Sequence, residues 1–449
     1  MGDYLVFSPT SRQARRTAMA MAGPLCKTNN SSLASLRDYV ADTVSANYDL
    51  VFCLDHSIGF HHGKMPQHVR NAVEFAVGKG MLTTVVCTTT LMQGVNIPAK
   101  SVVLRNPNLF LKKTNGVEPK LSAYEIANLR GRAGRLLRDF VGRTIILDGS
   151  EFETPSQQIG LFEPTVKQLD ASYGGVFKKN REMILDETIA DENKKRSGIS
   201  KYIRSVMYTE PDAAGQLARR GIYFSSAEVE RIKGGMLRLD VDKSICRRYR
   251  YWDPYDLQTL RDLSRKIDLP MSPFDDNVVN RLASVLDKVS QAMPSLVGKF
   301  LGSQYASNSR KRWVLCKSAV GWAREKPLSE LLAVEYIGDS SDKTEDCIAM
   351  LQNTVAYGLP ALLYPLYTLG GKKEFLLSAM ERGAYSKANI TLLNNNIPRE
   401  TALTFSDRAR KFIREDDSIS QLCLHIPRLG LGFWDRIQFR HLASLGDIQ

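Results

Sequence analysis

The sequence predicts an α/β lobe with a mostly parallel sheet over residues 1–152, followed by a mainly α-helical remainder. Three observations carry that expectation. Short runs rich in β-branched residues alternate with amphipathic segments through the first third of the chain, the pattern of parallel strands joined by helical crossovers. Two segments begin with Ser or Thr placed three residues before Gln or Glu, which marks a helix N-terminus. From about residue 327 onward, apolar positions recur at helical spacing.

The first strand is YLVFS. Thr10 and Gln13 in TSRQ then form a capping-box pattern before an Ala-rich helix. VFCLDHSIGFHHGKMPQHVRNAVEF, MLTTVVCTTTL, SVVLRN and GRTIILDG follow. They read as short strands, with a helical segment from about Pro66 to Val77 between the first two. In LSAYEIANLRGRAGR, Ser122 and Glu125 form a second capping box, and Gly131 and Gly134 bracket a turn at the helix end. Sheets of this kind bind ligands at the loops after the strands' carboxyl ends. The loops of interest are therefore SPTS, HHGK, TTTLMQGVN and LRGRAGR. Arg132 and Arg135 are three apart and project from one side of a helical turn, as two guanidiniums aimed at a polyphosphate would. The same pair also suits a solvated helix end.

Composition narrows the function classes. The 449 residues suffice for about three domains at roughly 150 residues each. A net charge of +13 suits a polyanionic partner, and equally a solvated basic surface. The seven cysteines are scattered and form no C-x-x-C pair, which fits a reducing, intracellular (cytoplasmic) compartment without structural zinc. MGDYLVFSPT carries no signal-peptide pattern. The most apolar stretch, Thr354 to Gly371, is broken by Pro360 and Pro365, so no membrane span is expected. His56, His61, His62 and His68 cluster without a carboxylate or cysteine at ligand spacing, so loop and packing roles are expected and no metal.

GVNIPAKS, residues 94–101, stands one residue short of a phosphate-binding G-x-x-x-x-G-K-[ST] loop. Ala99 puts a Cβ where that loop needs bare backbone, and Pro98 removes an N–H from the cradle. SVVL then reads as a strand, whereas a phosphate loop leads into a helix.

Taken in order, LVFSPTS, GFHHGKMPQHVR, TTTLMQGVNIPA and LRGRAGR resemble the second RecA-like lobe of superfamily 2 helicases, most closely the superkiller-like group. Four blocks in order over about a third of the chain are far more specific than one. The resemblance implies ATP with Mg as cofactor. Arg132 and Arg135 would reach the γ-phosphate across a cleft between two lobes. Gly94 and Asn96 would line that cleft, and Asn128 stands where the group usually has Gln. Thr88 would meet a nucleic-acid phosphate, with Thr10, Arg12 and Gly63 in further backbone-contacting blocks. Such contacts imply RNA or DNA, single-stranded and bound independently of sequence. The group's first lobe supplies a phosphate loop and an Asp-Glu block. No G-x-x-x-x-G-K-[ST] occurs here, and MILDET, which imitates the acidic block, lies after GRAGR where the family order puts it before. The chain thus reads as a helicase from its second lobe onward, with the first lobe expected from missing sequence or a separate chain.

The resemblance also implies a connector and winged-helix domain over 153–265, then a helical domain over 266–449. CRRYRYWDPY and SRKRWVLCKSAVGWAREK interleave basic and aromatic residues, as single-strand binding uses them. Arg247, Arg248, Arg310 and Arg312 are the nucleic-acid candidates there. Trp313 and Trp322 fit a buried helix face as readily. The leading expectation is the C-terminal portion of an ATP-dependent helicase or translocase. The alternative is a non-catalytic module derived from one, docking a partner such as a nuclease.

Overall fold

The computed structural model describes residues 4–89, 99–105, 121, 123–130, 133, 142–148, 173–189, 197–333 and 340–445. The expected α/β lobe and helical remainder are what it contains. Strands β1 (Tyr4–Phe7), β2 (Ile58–His61), β3 (Thr84–Cys87), β4 (Ser101–Leu104) and β5 (Arg143–Ile146) form one parallel sheet in the order β2-β3-β1-β4-β5. In register, Tyr4 stands beside Thr84 and Ser101, Ile58 beside Thr84, and Ser101 beside Arg143. Every residue of β2 and three of four in β3 are buried. A parallel sheet needs such cover, because crossover helices lie on its faces.

Five helices accompany the sheet: α1 (Ser11–Ala22), α2 (Ser31–Thr43), α3 (Asp49–Asp55), α4 (Gln67–Gly78) and α5 (Ala123–Arg130). Helix α4 falls where the sequence predicts it. The run VFCLD does not, for it is helix α3 and not strand. Asp49 in its first turn complements the helix dipole, and Leu50, Cys53 and Leu54 form its buried face at i, i+3, i+4 spacing. The strand begins only at Ile58, after Ser57 turns the chain with φ of 59°.

The chain divides into two compact units. One holds Met1–Gln158 with Gly321–Asn353 and Arg382–Gln449; the other holds Ile159–Val320 with Thr354–Glu381. In the first unit, late segments close over the helices of the sheet. The Trp434 indole N–H donates to Ser35 Oγ on α2 at 3.1 Å, and Phe433 and Trp434 meet the Phe75 ring of α4 edge-on. The Gln438 amide donates to the His68 carbonyl and accepts from Asn71, at 3.1 and 2.9 Å. Behind them Leu392, Ile397, Phe405, Leu422 and Phe439 form a separate apolar cluster. Arg399 is buried with its guanidinium 3.8 Å from the Trp322 ring centroid, and donates to the carbonyls of Gly383, Trp322 and Lys326. Gly383 has φ of 69°, and a Cβ there would lie 2.4 Å from Trp322, so only glycine fits.

In the second unit, helices Tyr173–Lys179, Arg181–Ile189, Gly198–Thr209 and Ser226–Gly235 gather around Phe177, Ile184, Ile203, Leu217 and Ile232. Arg204 is fully buried there and donates to the carbonyls of Thr188 and Glu187. Among the described residues this unit contains no strand. The apolar stretch after Thr354 includes the buried helix Leu359–Leu369, which holds Pro365. No helix among the described residues is long and apolar enough to cross a membrane.

Two buried groups where α2 and α4 meet the late segments titrate in opposing senses. Burial pushes the His68 imidazole down to about 3 and the Asp435 carboxyl up to about 6. A depressed imidazole stabilises the fold above its unfolded value, and that stability is lost as pH falls from about 6.5 toward 3. A raised carboxyl does the reverse: its stability is present below its unfolded value of 3.8 and lost as pH rises through about 6. Between pH 6 and 4 the two slopes oppose. Asp435→Asn removes one of them, so stability should fall more steeply on acidification than in the wild type, by up to about 1.4 kcal/mol per pH unit. Urea melts of both proteins at pH 7, 6, 5 and 4 check this; parallel profiles would refute it.

Candidate nucleic-acid interface

The order β2-β3-β1 sets the loops after those three strands side by side at the carboxyl edge of the sheet. Each carries a residue singled out in the sequence. Thr10 leaves β1 as the N-cap of α1, in extended conformation, and its Oγ1 accepts the Gln13 N–H at 3.2 Å. The Gln13 side chain takes the Thr10 hydroxyl at 3.1 Å and does not return to the cap backbone, so the motif is half of a capping box. Gly63 lies exposed in the turn after β2. Thr88 follows β3 and is buried, its N–H donating to the His61 carbonyl at 3.2 Å. Arg12 projects from the first turn of α1, with its side chain largely exposed.

The same edge meets a segment that the sequence reading overlooked. Helix Ser341–Ala349 turns Asp342, Glu345 and Asp346 toward it, at i, i+3, i+4 spacing. Asp342 pairs with Arg12 at 3.1 Å and also with Arg15. Glu345 stands 3.0 Å from His62 Nε2 and 3.6 Å from Arg15 Nε, and accepts the Tyr48 hydroxyl at 3.2 Å. Asp346 pairs with Lys64 at 2.8 Å. The buried members, Arg15, His62, Tyr48 and Glu345, dock the helix on the sheet; the outer pairs, at Arg12 and Lys64, are solvated and individually weak. The signal was present in SSDKTED, whose three acids share one helical face. What the sequence lacks is any mark of their partner.

Gly94, Asn96, Arg132 and Arg135 lie outside the described residues. Their neighbours do not: Ala99, after the GVNIP block, forms an isolated parallel bridge with Ala133 of the GRAGR block. Ala99 is buried, and the next residues enter β4. Asn128 is half-buried on α5. Among the described residues no group of three or more His, Cys, Asp or Glu is arranged to hold a metal. His61 bonds Glu74 at 2.9 Å and His68 bonds Thr43 at 3.0 Å, which are packing roles.

The second unit holds the basic–aromatic candidates. Arg247 is half-exposed; its Nε donates to Glu210 at 3.1 Å and its Nη2 to the Thr209 carbonyl at 2.7 Å. That pairing holds the Glu210 carboxyl below its usual range. Arg248 is exposed, 5.6 Å from the Tyr249 ring centroid. Arg310 is exposed as well. Arg312 faces inward: it is buried, pairs with Asp287 at 2.6 Å, and donates to the Tyr305 and Ala306 carbonyls. Trp313 is 40% exposed, its indole donating to Asn280 at 2.9 Å.

These elements form an α/β lobe of RecA-like kind carried with a mainly helical region, and over about a third of its length the chain is similar to superfamily 2 helicases. The DExH, Hel308 and MER3 proteins among its relatives are superfamily 2 helicases. It is 37% identical over 103 residues to DExH-box ATP-dependent RNA helicase DExH14 of Arabidopsis thaliana, an overlap of 23% of this chain and 5% of that protein. It is 32% identical over 151 residues to ATP-dependent DNA helicase Hel308 of Pyrococcus horikoshii, 33% of this chain and 21% of that one. It is 27% identical over 124 residues to Anti-bacteriophage protein B of Escherichia coli K12, 28% and 16% respectively. The chain therefore spans no more than about a fifth of the length of these relatives. No protein-family model matches it.

The two arginines of SRKR separate cleanly by burial. Arg312→Ala removes the buried ion pair with Asp287 and the guanidinium bonds to the Tyr305 and Ala306 carbonyls, and should cost about 2–4 kcal/mol. Arg310→Ala should change stability by less than about 0.5 kcal/mol. Urea melts of the two variants distinguish them; an Arg312→Ala protein as stable as the wild type would remove the interior role.

Proposed function

We propose that this chain supplies the second-lobe side of an ATP-dependent nucleic-acid helicase or translocase. The observation that supports the reading is the isolated parallel bridge of Ala99 with Ala133, one residue from each of the GVNIPA and GRAGR blocks, in a lobe whose sheet carries Thr10, Gly63 and Thr88 at its carboxyl edge. Arg132 and Arg135 reach the γ-phosphate of ATP and stabilise the charge that develops as it is transferred. Gly94, Asn96 and Asn128 line the same cleft. The phosphate loop and the acidic residues for magnesium belong to a first lobe, from further sequence or another chain, because these 449 residues contain no G-x-x-x-x-G-K-[ST].

The nucleic-acid track runs along the edge that carries Thr10, Arg12, Gly63 and Thr88. Contacts there go to phosphates, so RNA or DNA is held as a single strand and without regard to sequence. Arg12 is already paired with Asp342, so a phosphate must compete with that carboxylate for it. A second reading has one observation in its favour: Anti-bacteriophage protein B is among the relatives. In that reading the lobe serves as a binding module that docks a partner such as a nuclease.

Three measurements test the proposal. The 449-residue chain alone should hydrolyse no ATP, with or without a single-stranded oligonucleotide; stimulated turnover would place a complete ATP site within it. In a protein carrying both lobes, Arg132→Ala should lower ATPase by about 10³-fold, as loss of an arginine finger does; full activity would remove that role. For binding of a labelled single strand, Arg12→Ala should weaken affinity and Asp342→Asn should strengthen it. Arg15 keeps Asp49 at 3.1 Å when Asp342 is neutralised. Changes of the same sign in the two variants would contradict competition at Arg12.

A further inference from the structure

Inside the second unit lies a cavity of about 400 Å³ with an unusual lining. One face of helix Gly198–Thr209 presents Tyr202, Ser205, Val206 and Thr209, at i, i+3, i+4, i+7 spacing. The Tyr173 ring stacks on Tyr202 with centroids 5.2 Å apart and planes at 23°, and the Arg220 guanidinium lies 5.1 Å from the Tyr202 centroid. Opposite them Arg250 sits 4.9 Å from the ring centroid of Tyr251, which is 64% exposed. At the cavity wall, Glu210 accepts from Arg247 at 3.1 Å and from the Gln216 amide at 3.2 Å.

Charge and ring accounting point to one ligand chemistry. The Arg247–Glu210 pair is neutral as a unit. Among the described residues neither Arg220 nor Arg250 meets a carboxylate, which leaves two forked cations at the rim. The aromatic residues of CRRYRYWDPY sort in the same way. The Tyr249 hydroxyl bonds Thr368, Trp252 stacks on Phe300 at 5.3 Å, and Tyr255 donates to the Gly235 carbonyl. Tyr251 alone of the four is turned out to solvent, beside the cavity. Stacked tyrosines offer π-faces to a base, and arginines without a carboxylate partner offer bidentate donors to a phosphate. The volume lies near the lower end of the range for small-ligand sites, about 300–1,000 Å³, which suits one nucleotide and not a duplex.

We propose that this cavity holds one unstacked nucleotide of a single-stranded nucleic acid, its base against the exposed rings of Tyr173 and Tyr251, with buried Tyr202 backing Tyr173, and its phosphates on Arg220 and Arg250. The site rests on the proposed nucleic-acid reading, deepens it for the basic–aromatic segments, and is built from residues of the second unit alone. Ring stacking and phosphate contacts do not depend on base identity or on the sugar, so both RNA and DNA strands fit.

The test uses the full chain with fluorescein-labelled dT12 and rU12, read by anisotropy across a salt series. Tyr251→Ala should weaken binding about tenfold, as loss of one stacking ring does, with the salt slope unchanged. The double variant R220Q/R250Q should weaken binding and lower the salt slope by about 1.4, for two phosphates lost from a single strand. Photo-crosslinking of a 5-bromouracil oligonucleotide should label peptides containing Tyr173 or Tyr251. If both variants bind as the wild type does and the cross-links fall elsewhere, the cavity proposal is overturned, while weakening by Arg12→Ala would leave the lobe reading standing. If the cavity variants weaken binding and Arg12→Ala does not, the cavity stands and the track along the sheet edge falls. A wild type that binds neither strand overturns both.

Discussion

Arg15 is the constraint around which the lobe is built. It belongs to α1, sits 5% exposed beneath the carboxyl edge of the sheet, and cannot be deprotonated to escape burial. A cation in that position must be neutralised from several sides. Asp49 of α3 supplies one carboxylate, and Asp342 and Glu345 of a helix more than 320 positions along the chain supply two more. Glu345 in turn stands against His62, after β2, and takes the Tyr48 hydroxyl. One buried guanidinium thus ties α1, α3, the turn after β2 and the Ser341–Ala349 helix into one arrangement. Such networks set register and position more than they add stability, because desolvation offsets much of the Coulombic gain.

That arrangement changes how the net charge of +13 should be read. Arg15, Arg204, Arg312 and Arg399 are all buried, each with carbonyl or carboxylate partners inside its own unit. They are excess charge in the composition but not in the field a polyanion meets. Arg12 and Lys64 are half out of this class: accessible, yet each faces an acid of the Ser341–Ala349 helix. Among the described residues, exposed cations without an acid partner include Arg16 on α1 as well as Arg220, Arg248, Arg250 and Arg310 of the second unit. The net charge therefore overstates the field that a polyanion meets.

Much of the lobe was legible in the sequence. The strand cores YLVF, IGFH, TVVC, SVVL and RTII carry the β-branched and apolar patterning that parallel strands need, and Thr10 announces α1 through its cap. VFCLD misled because a short apolar run such as VFCL is ambiguous between strand and buried helix; the acid that opens α3 and its i, i+3, i+4 face were the discriminating signs. In the late segments helical periodicity was visible, but not that Trp434 and Gln438 would return to α2 and α4, since single residues carry no mark of a distant partner. The same limit hid the acidic helix at the sheet edge. It also left Arg310 and Arg312 alike in sequence when one faces out and the other in: two positions on a helix turn through about 200°.

GVNIPAKS is the place where local chemistry and tertiary placement agree most closely. A phosphate loop needs bare backbone before its Lys and a helix after it, so that N–H groups converge on the anion. Here Ala99 is 3% exposed and its backbone bridges Ala133, Lys100 offers its carbonyl to the Arg143 N–H, and Ser101 is already strand. Those backbone groups answer to the sheet, and no helix N-terminus follows to supply others. A Cβ at position 99 is tolerable only because a neighbouring backbone, not a phosphate, approaches it. The backbone of residues 99–101 is thus committed to the sheet and leaves no converging N–H cradle there for an anion.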